Sequence, residues 1–75
     1  MVKKSRTRLE LALTKLAQRI REEFEEFPGL RVTVKEASSF WALDADVVRE
    51  VFARLSMKGF LAKDPDERYS QAQPS

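Results

Sequence analysis

LDADVVREVFARLSMKGFL, residues 43–61, holds one helix, its stop signal and the start of an extended segment. Asp44 and Asp46 are both residue types that cap a helix N-terminus. Val48, Val51, Phe52 and Leu55 then follow at i, i+3, i+4 and i+7, giving an apolar face two turns long. That face must be buried against other elements. Lys58-Gly59 supplies a cation for the C-terminal carbonyls and a residue free to take positive φ, after which Phe60-Leu61 open something extended. The pattern predicts a helix over about 45–58.

Upstream, Thr33 with Glu36 three residues later has the pattern of a capping box, and Val34, Ala37, Ser38 and Trp41 repeat at helical spacing. A second helix is expected over about 34–42, with Trp41 inward and Phe40 at the edge of the core or outside it. Ala42-Leu43-Asp44 makes the turn between the two helices, with Leu43 plugging the angle. Before it, Leu30-Arg31-Val32 alternates apolar and polar, enough for a short strand.

Further back, Leu9, Leu13, Leu16, Ile20, Phe24 and Phe27 recur at spacings of four, three, four, four and three, which predicts a first helix over about 7–27. Ser5 and Thr7 are candidate N-caps, and Thr7 with Glu10 fits a capping box; Pro28 and Gly29 end the helix. At about 1.5 Å per residue this helix is on the order of 30 Å long, more than a small three-helix core needs to cover. The surplus, with Leu11 off the main stripe, leaves two readings open: a homodimer contact through helix 1, or a frayed first turn.

Downstream, residues 60–63 and 68–71 flank the polar link Asp64-Pro65-Asp66-Glu67, a hairpin with a loop-type turn. Trp41, Phe52, Leu55, Ile20, Phe24, Val48 and Phe60 are the expected core. The chain divides into a basic N-terminal arm (1–8), one domain (9–71) and a tail (72–75).

Composition narrows the function classes. The 75 residues include neither cysteine nor histidine, which removes disulfides, thiolate metal sites and the commonest general base. No apolar run is long enough for a signal peptide or a membrane span, so a cytoplasmic chain with no membrane role and no cofactor is expected. The net charge of +2 is uneven. Lys3, Lys4, Arg6 and Arg8 precede the first acid, whereas residues 31–70 are balanced. The acids of residues 64–67 sit on a solvated tip, and the only glycines are Gly29 and Gly59, so neither a catalytic dyad nor a phosphate-binding loop is present and no enzyme is expected.

With these elements laid out, residues 32–61 resemble the winged helix-turn-helix of MarR-type transcriptional regulators, and the hairpin extends the likeness to about Tyr69. The helix-2 pattern of that family falls on Val32, Thr33, Ala37, Ser38, Trp41, Ala42, Leu43 and Asp44, and its recognition-helix pattern on Val48, Arg54, Leu55, Lys58 and Gly59. Ala42 stands where the family has a turn glycine, and the family's long dimerisation helices and ligand pocket have no counterpart. The resemblance implies a small α+β fold, three helices with a two- or three-stranded β-wing, and binding of double-stranded DNA in transcription regulation.

Helix 3 of such a fold enters the major groove, with wing and arm on the backbone. Expected DNA contacts are Lys3, Lys4, Arg6, Arg8, Thr33, Lys35, Asp46, Arg49, Glu50, Arg54, Lys58, Lys63 and Arg68. Steps of about 100° per residue put Asp46, Glu50, Ala53 and Met57 at the centre of the outward face of helix 3, with Arg49 and Arg54 on its flanks. Two carboxylates there oppose a phosphate-lined duplex, and the wing tip adds Asp64, Asp66 and Glu67. The same stripe, with Phe40, supports an alternative reading as a protein–protein interaction module.

Overall fold

The computed structural model describes the backbone of residues 2–72 and the side chains of residues 9–72. Three helices, α1 (Val2–Glu26), α2 (Val34–Trp41) and α3 (Ala45–Met57), precede an antiparallel hairpin of β1 (Leu61–Lys63) and β2 (Tyr69–Gln71). The register pairs Leu61 with Gln71, Ala62 with Ser70 and Lys63 with Tyr69. Val32 joins as a third, one-residue strand: its N–H donates to the Tyr69 carbonyl at 3.1 Å, and the Tyr69 N–H donates back at 2.7 Å. This is an α+β domain with the winged-helix layout.

The local signals act as their chemistry dictates. Thr33 Oγ1 accepts from the Glu36 N–H at 3.0 Å, and Glu36 Oε1 accepts from the Thr33 N–H at 2.9 Å, so the capping box is complete. At the end of α3 the Phe60 N–H reaches the Leu55 carbonyl and the Gly59 N–H reaches that of Ser56, with Gly59 at φ +80°. That is a Schellman stop, and it turns Phe60-Leu61 into the wing. Asp44 occupies the N-cap of α3 without a side-chain cap bond, and Asp46 lies within the first turn. Neither aspartate caps the helix with its side chain.

α1 departs most from expectation. It begins at Val2, so Ser5 and Thr7 lie inside the helix rather than capping it. The Lys- and Arg-rich segment has no glycine or proline to stop it and continues the helix toward the N-terminus. The side chains of Lys3, Lys4, Arg6 and Arg8 lie outside the described residues, as do residues 73–75. The helix gives the domain its 42 Å long axis and overhangs the core, leaving Leu9 and Phe27 of the predicted stripe more than half exposed.

Leu13, Ala17, Ile20 and Phe24 of α1 meet Ala37 of α2, Val48, Val51, Phe52 and Leu55 of α3, and Val32 and Leu61 of the sheet in one cluster. Phe24 is its centre, with ring centroids 6.1 Å from Trp41, 6.0 Å from Phe52 and 6.4 Å from Phe60. Trp41 and Phe60, expected in the core, pack on the rim of the cluster and stay partly exposed. The Arg21 guanidinium lies 4.8 Å from the centre of the Phe60 ring and takes up part of that rim.

The α2–α3 turn carries backbone strain. Ala42, in the place of the turn glycine, is left-handed at φ 55°, ψ 50°. Its N–H donates to the Ser38 carbonyl, and the Ser38 hydroxyl donates to the Leu43 carbonyl, holding the turn in place. A Cβ in the left-handed region costs about 1–2 kcal/mol. Ala42→Gly is therefore expected to stabilise the domain by about 1 kcal/mol, partly offset by the added freedom of the unfolded chain. Urea unfolding checks this as a higher midpoint at unchanged slope; a lower midpoint contradicts it.

Candidate nucleic-acid interface

The capping box fixes the start of α2, the turn fixes the start of α3, and the Val32 bridge holds the wing beside both. Between these three pieces runs a groove of about 640 Å³, lined among others by Thr33, Lys35, Ser38, Ala45, Arg49, Lys63 and Glu67. Thr33, Lys35, Arg49 and Lys63 were all expected at a DNA surface, and the fold brings them together. Lys35 and Lys63 are exposed and, among the described residues, in no ion pair; Thr33 uses its hydroxyl on the helix.

The remaining expected contacts of helix 3 are placed differently. Arg54 Nη2 donates to Glu10 Oε1 at 2.9 Å and its Nε to Glu50 Oε2 at 3.3 Å, with the side chain only 27% exposed. The hydrogen bond to Glu10, ahead of the Glu50 contact, holds its charged form more firmly than in a free arginine. Arg54 thus straps α3 to α1. It lines a second groove of about 400 Å³ with Lys58, Gln18, Arg21 and Glu22, away from the wing. Arg68 is exposed on the wing without an ion pair among the described residues.

Asp46 and Glu50 are exposed on α3 as expected, and each is answered by an arginine within one turn: Arg49 Nη1 pairs with Asp46 Oδ1 at 2.5 Å, and Arg54 pairs with Glu50. The flanking arginines offset part of the acidic charge of the outward face, Arg54 being shared between Glu50 and Glu10. The i,i+3 spacing of Asp46 and Arg49 and the i,i+4 spacing of Glu50 and Arg54 carry that signal in the sequence.

Asp64 is not a free acid at the wing tip. Its Oδ1 accepts the N–H groups of Asp66 and Arg68, each at 2.9 Å, and its Oδ2 accepts Arg31 Nη2 at 2.8 Å. The Arg31 hydrogen bond, then those backbone donors, hold its carboxyl below the ordinary value of 3.8. A carboxyl depressed on folding contributes stability that is present above its unfolded pKa and is lost as pH falls through the folded one. Acidification below about pH 4 is therefore expected to loosen the wing. Asp64→Asn removes that pH dependence, read as thermal midpoints at descending pH; a variant and parent falling in parallel contradict the assignment.

Phe40 is 62% exposed, but it opens onto a third groove of about 270 Å³ with Leu16, Arg19, Glu23, Trp41 and Leu43. It does not share a groove with the outward residues of α3, where Met57 stands 89% exposed. Among the described residues no helix is long and apolar enough to cross a membrane. No protein-family model, curated protein or solved structure matches this chain.

Proposed function

We propose that this domain binds double-stranded DNA as a winged-helix transcription regulator of the MarR-like kind, with α3 in the major groove and the wing on the phosphate backbone. The observation that carries the reading is the convergence of Lys35, Arg49 and Lys63 on one groove between α2, α3 and the wing. Three cations from three separate elements reach one surface, against the single acid Glu67. Phosphate contacts of this kind set affinity and register, while outward residues of α3 read base edges.

The ion pairs on α3 do not block this use equally. An exposed pair such as Asp46–Arg49 contributes about 0–1 kcal/mol, so Arg49 can exchange its carboxylate for a phosphate or a guanine edge at little cost. Arg54, less exposed and held by two carboxylates, stays with α1 as a strut.

A second reading, a protein contact through the same outward face, is favoured by the exposure of Met57. Glu50→Arg separates the two. Glu50 is exposed, so the fold tolerates the change, and the variant is expected to bind a duplex several-fold more tightly in an anisotropy titration. Unchanged or weaker binding means that this face does not meet phosphate.

A further inference from the structure

α1 carries a second seam beside its buried face. Leu9, Ala12 and Leu16 follow at spacings of three and four, the a/d spacing of helices that pack at a shallow angle, and Arg19, Glu23 and Glu26 continue the same line as charged positions. Leu9 is 59% exposed, Ala12 is exposed and Leu16 half-buried; Phe40 of α2 stands over the same side in the groove it shares with Leu16 and Arg19. Leu16 is partly covered by the core, whereas Leu9, Ala12 and Phe40 stand exposed among the described residues.

The charges of α1 point to what covers this strip. Its first turn holds no acid and its last turn no base, so its side chains add to the helix dipole instead of opposing it. Lys3, Lys4, Arg6, Arg8, Lys15 and Arg19 all precede Arg21, and Glu22, Glu23, Glu25 and Glu26 crowd the C-terminal end. Among the described residues only Glu25 of those four has an ion pair, to Arg21. A helix with one sign at each end repels a parallel copy and attracts an antiparallel one.

We propose that this seam takes a second copy of the chain, antiparallel, about a twofold axis near Thr14. In that register Ala12 of one copy comes level with Leu16 of the other. Leu9 comes level with the partner helix at position 19, beside Phe40, and the basic positions 3–6 lie along the acidic positions 22–25. One isologous contact covers the apolar strip and opposes both dipoles. The inference does not rest on DNA binding; a duplex-binding dimer of this form adds the expectation of a palindromic site.

Sedimentation velocity of the intact chain at low salt and about 100 µM tests it. The expected species has twice the 8.7 kDa chain mass and dissociates as salt is raised. Leu9→Glu and Phe40→Glu, both at exposed positions, each give a monomer with an unchanged circular dichroism spectrum. Since the chain lacks cysteine, a spin label on Glu26→Cys reports orientation. Antiparallel packing separates two such labels by about 36 Å, at about 1.5 Å for each of roughly 24 residues, whereas parallel packing brings them within about 15 Å. A monomer at this concentration, a dimer indifferent to both glutamates, or the short label distance overturns the proposal.

Discussion

Phe24→Ala is expected to lower the melting temperature by on the order of 15–30 °C. Phe24 is fully buried and its ring meets Trp41, Phe52 and Phe60, so it joins α1 to α2, α3 and the entry to the wing at once. Truncating such a ring costs about 3–5 kcal/mol. A chain of 75 residues holds only about 4–11 kcal/mol in all, at ~0.05–0.15 kcal/mol per residue. One kcal/mol moves the midpoint of so small a domain by about 4–8 °C. Thermal melting followed by near-ultraviolet circular dichroism checks the value, and a fall under about 5 °C would place the centre of the core elsewhere.

The double charge reversal Lys35→Glu with Lys63→Glu is expected to weaken random-duplex binding at least ~100-fold at low salt and to flatten its salt dependence by about two phosphates. Both side chains are exposed and in no ion pair among the described residues, so the fold is retained. Arg54→Ala serves as the contrast. As a strut to Glu10 it leaves the salt slope unchanged while loosening the contact of α1 with α3. If Arg54→Ala flattens the slope and the lysine pair does not, the backbone contacts lie on the α1 side of α3 and the wing-side groove is not the interface.

Signals that act within a few residues were legible in the sequence. The Thr33–Glu36 box, the Gly59 stop and the inward face of α3 need only neighbours three or four positions apart, and each stands where the pattern put it. Features that depend on where the core ends were not legible: Leu9 and Phe27 continue the α1 stripe faultlessly and are exposed because, among the described residues, the part of α1 in the core cluster runs only from Leu13 to Phe24. Ala17, buried in the core cluster, was hidden by its small size.

The site followed the same division. Lys35, Arg49 and Lys63 are legible each on its own element, but the Val32–Tyr69 bridge that helps bring the wing's lysine to the start of α2 spans 37 positions. Arg54 looked equivalent to Arg49 until Glu10, 44 positions away, claimed it. Asp64 read as repulsive charge because its partner Arg31 lies 33 positions back, next to the bridging Val32.

The most direct test of DNA binding is fluorescence anisotropy of a labelled random duplex titrated with the protein at low and at near-physiological salt. The groove of Lys35, Arg49 and Lys63 predicts binding that weakens steeply as salt rises, with log K falling by about 0.9 per phosphate for each unit of log salt. No binding at low salt would contradict it, and the outward face of α3 with Met57 would then be the surface on which to seek a protein partner.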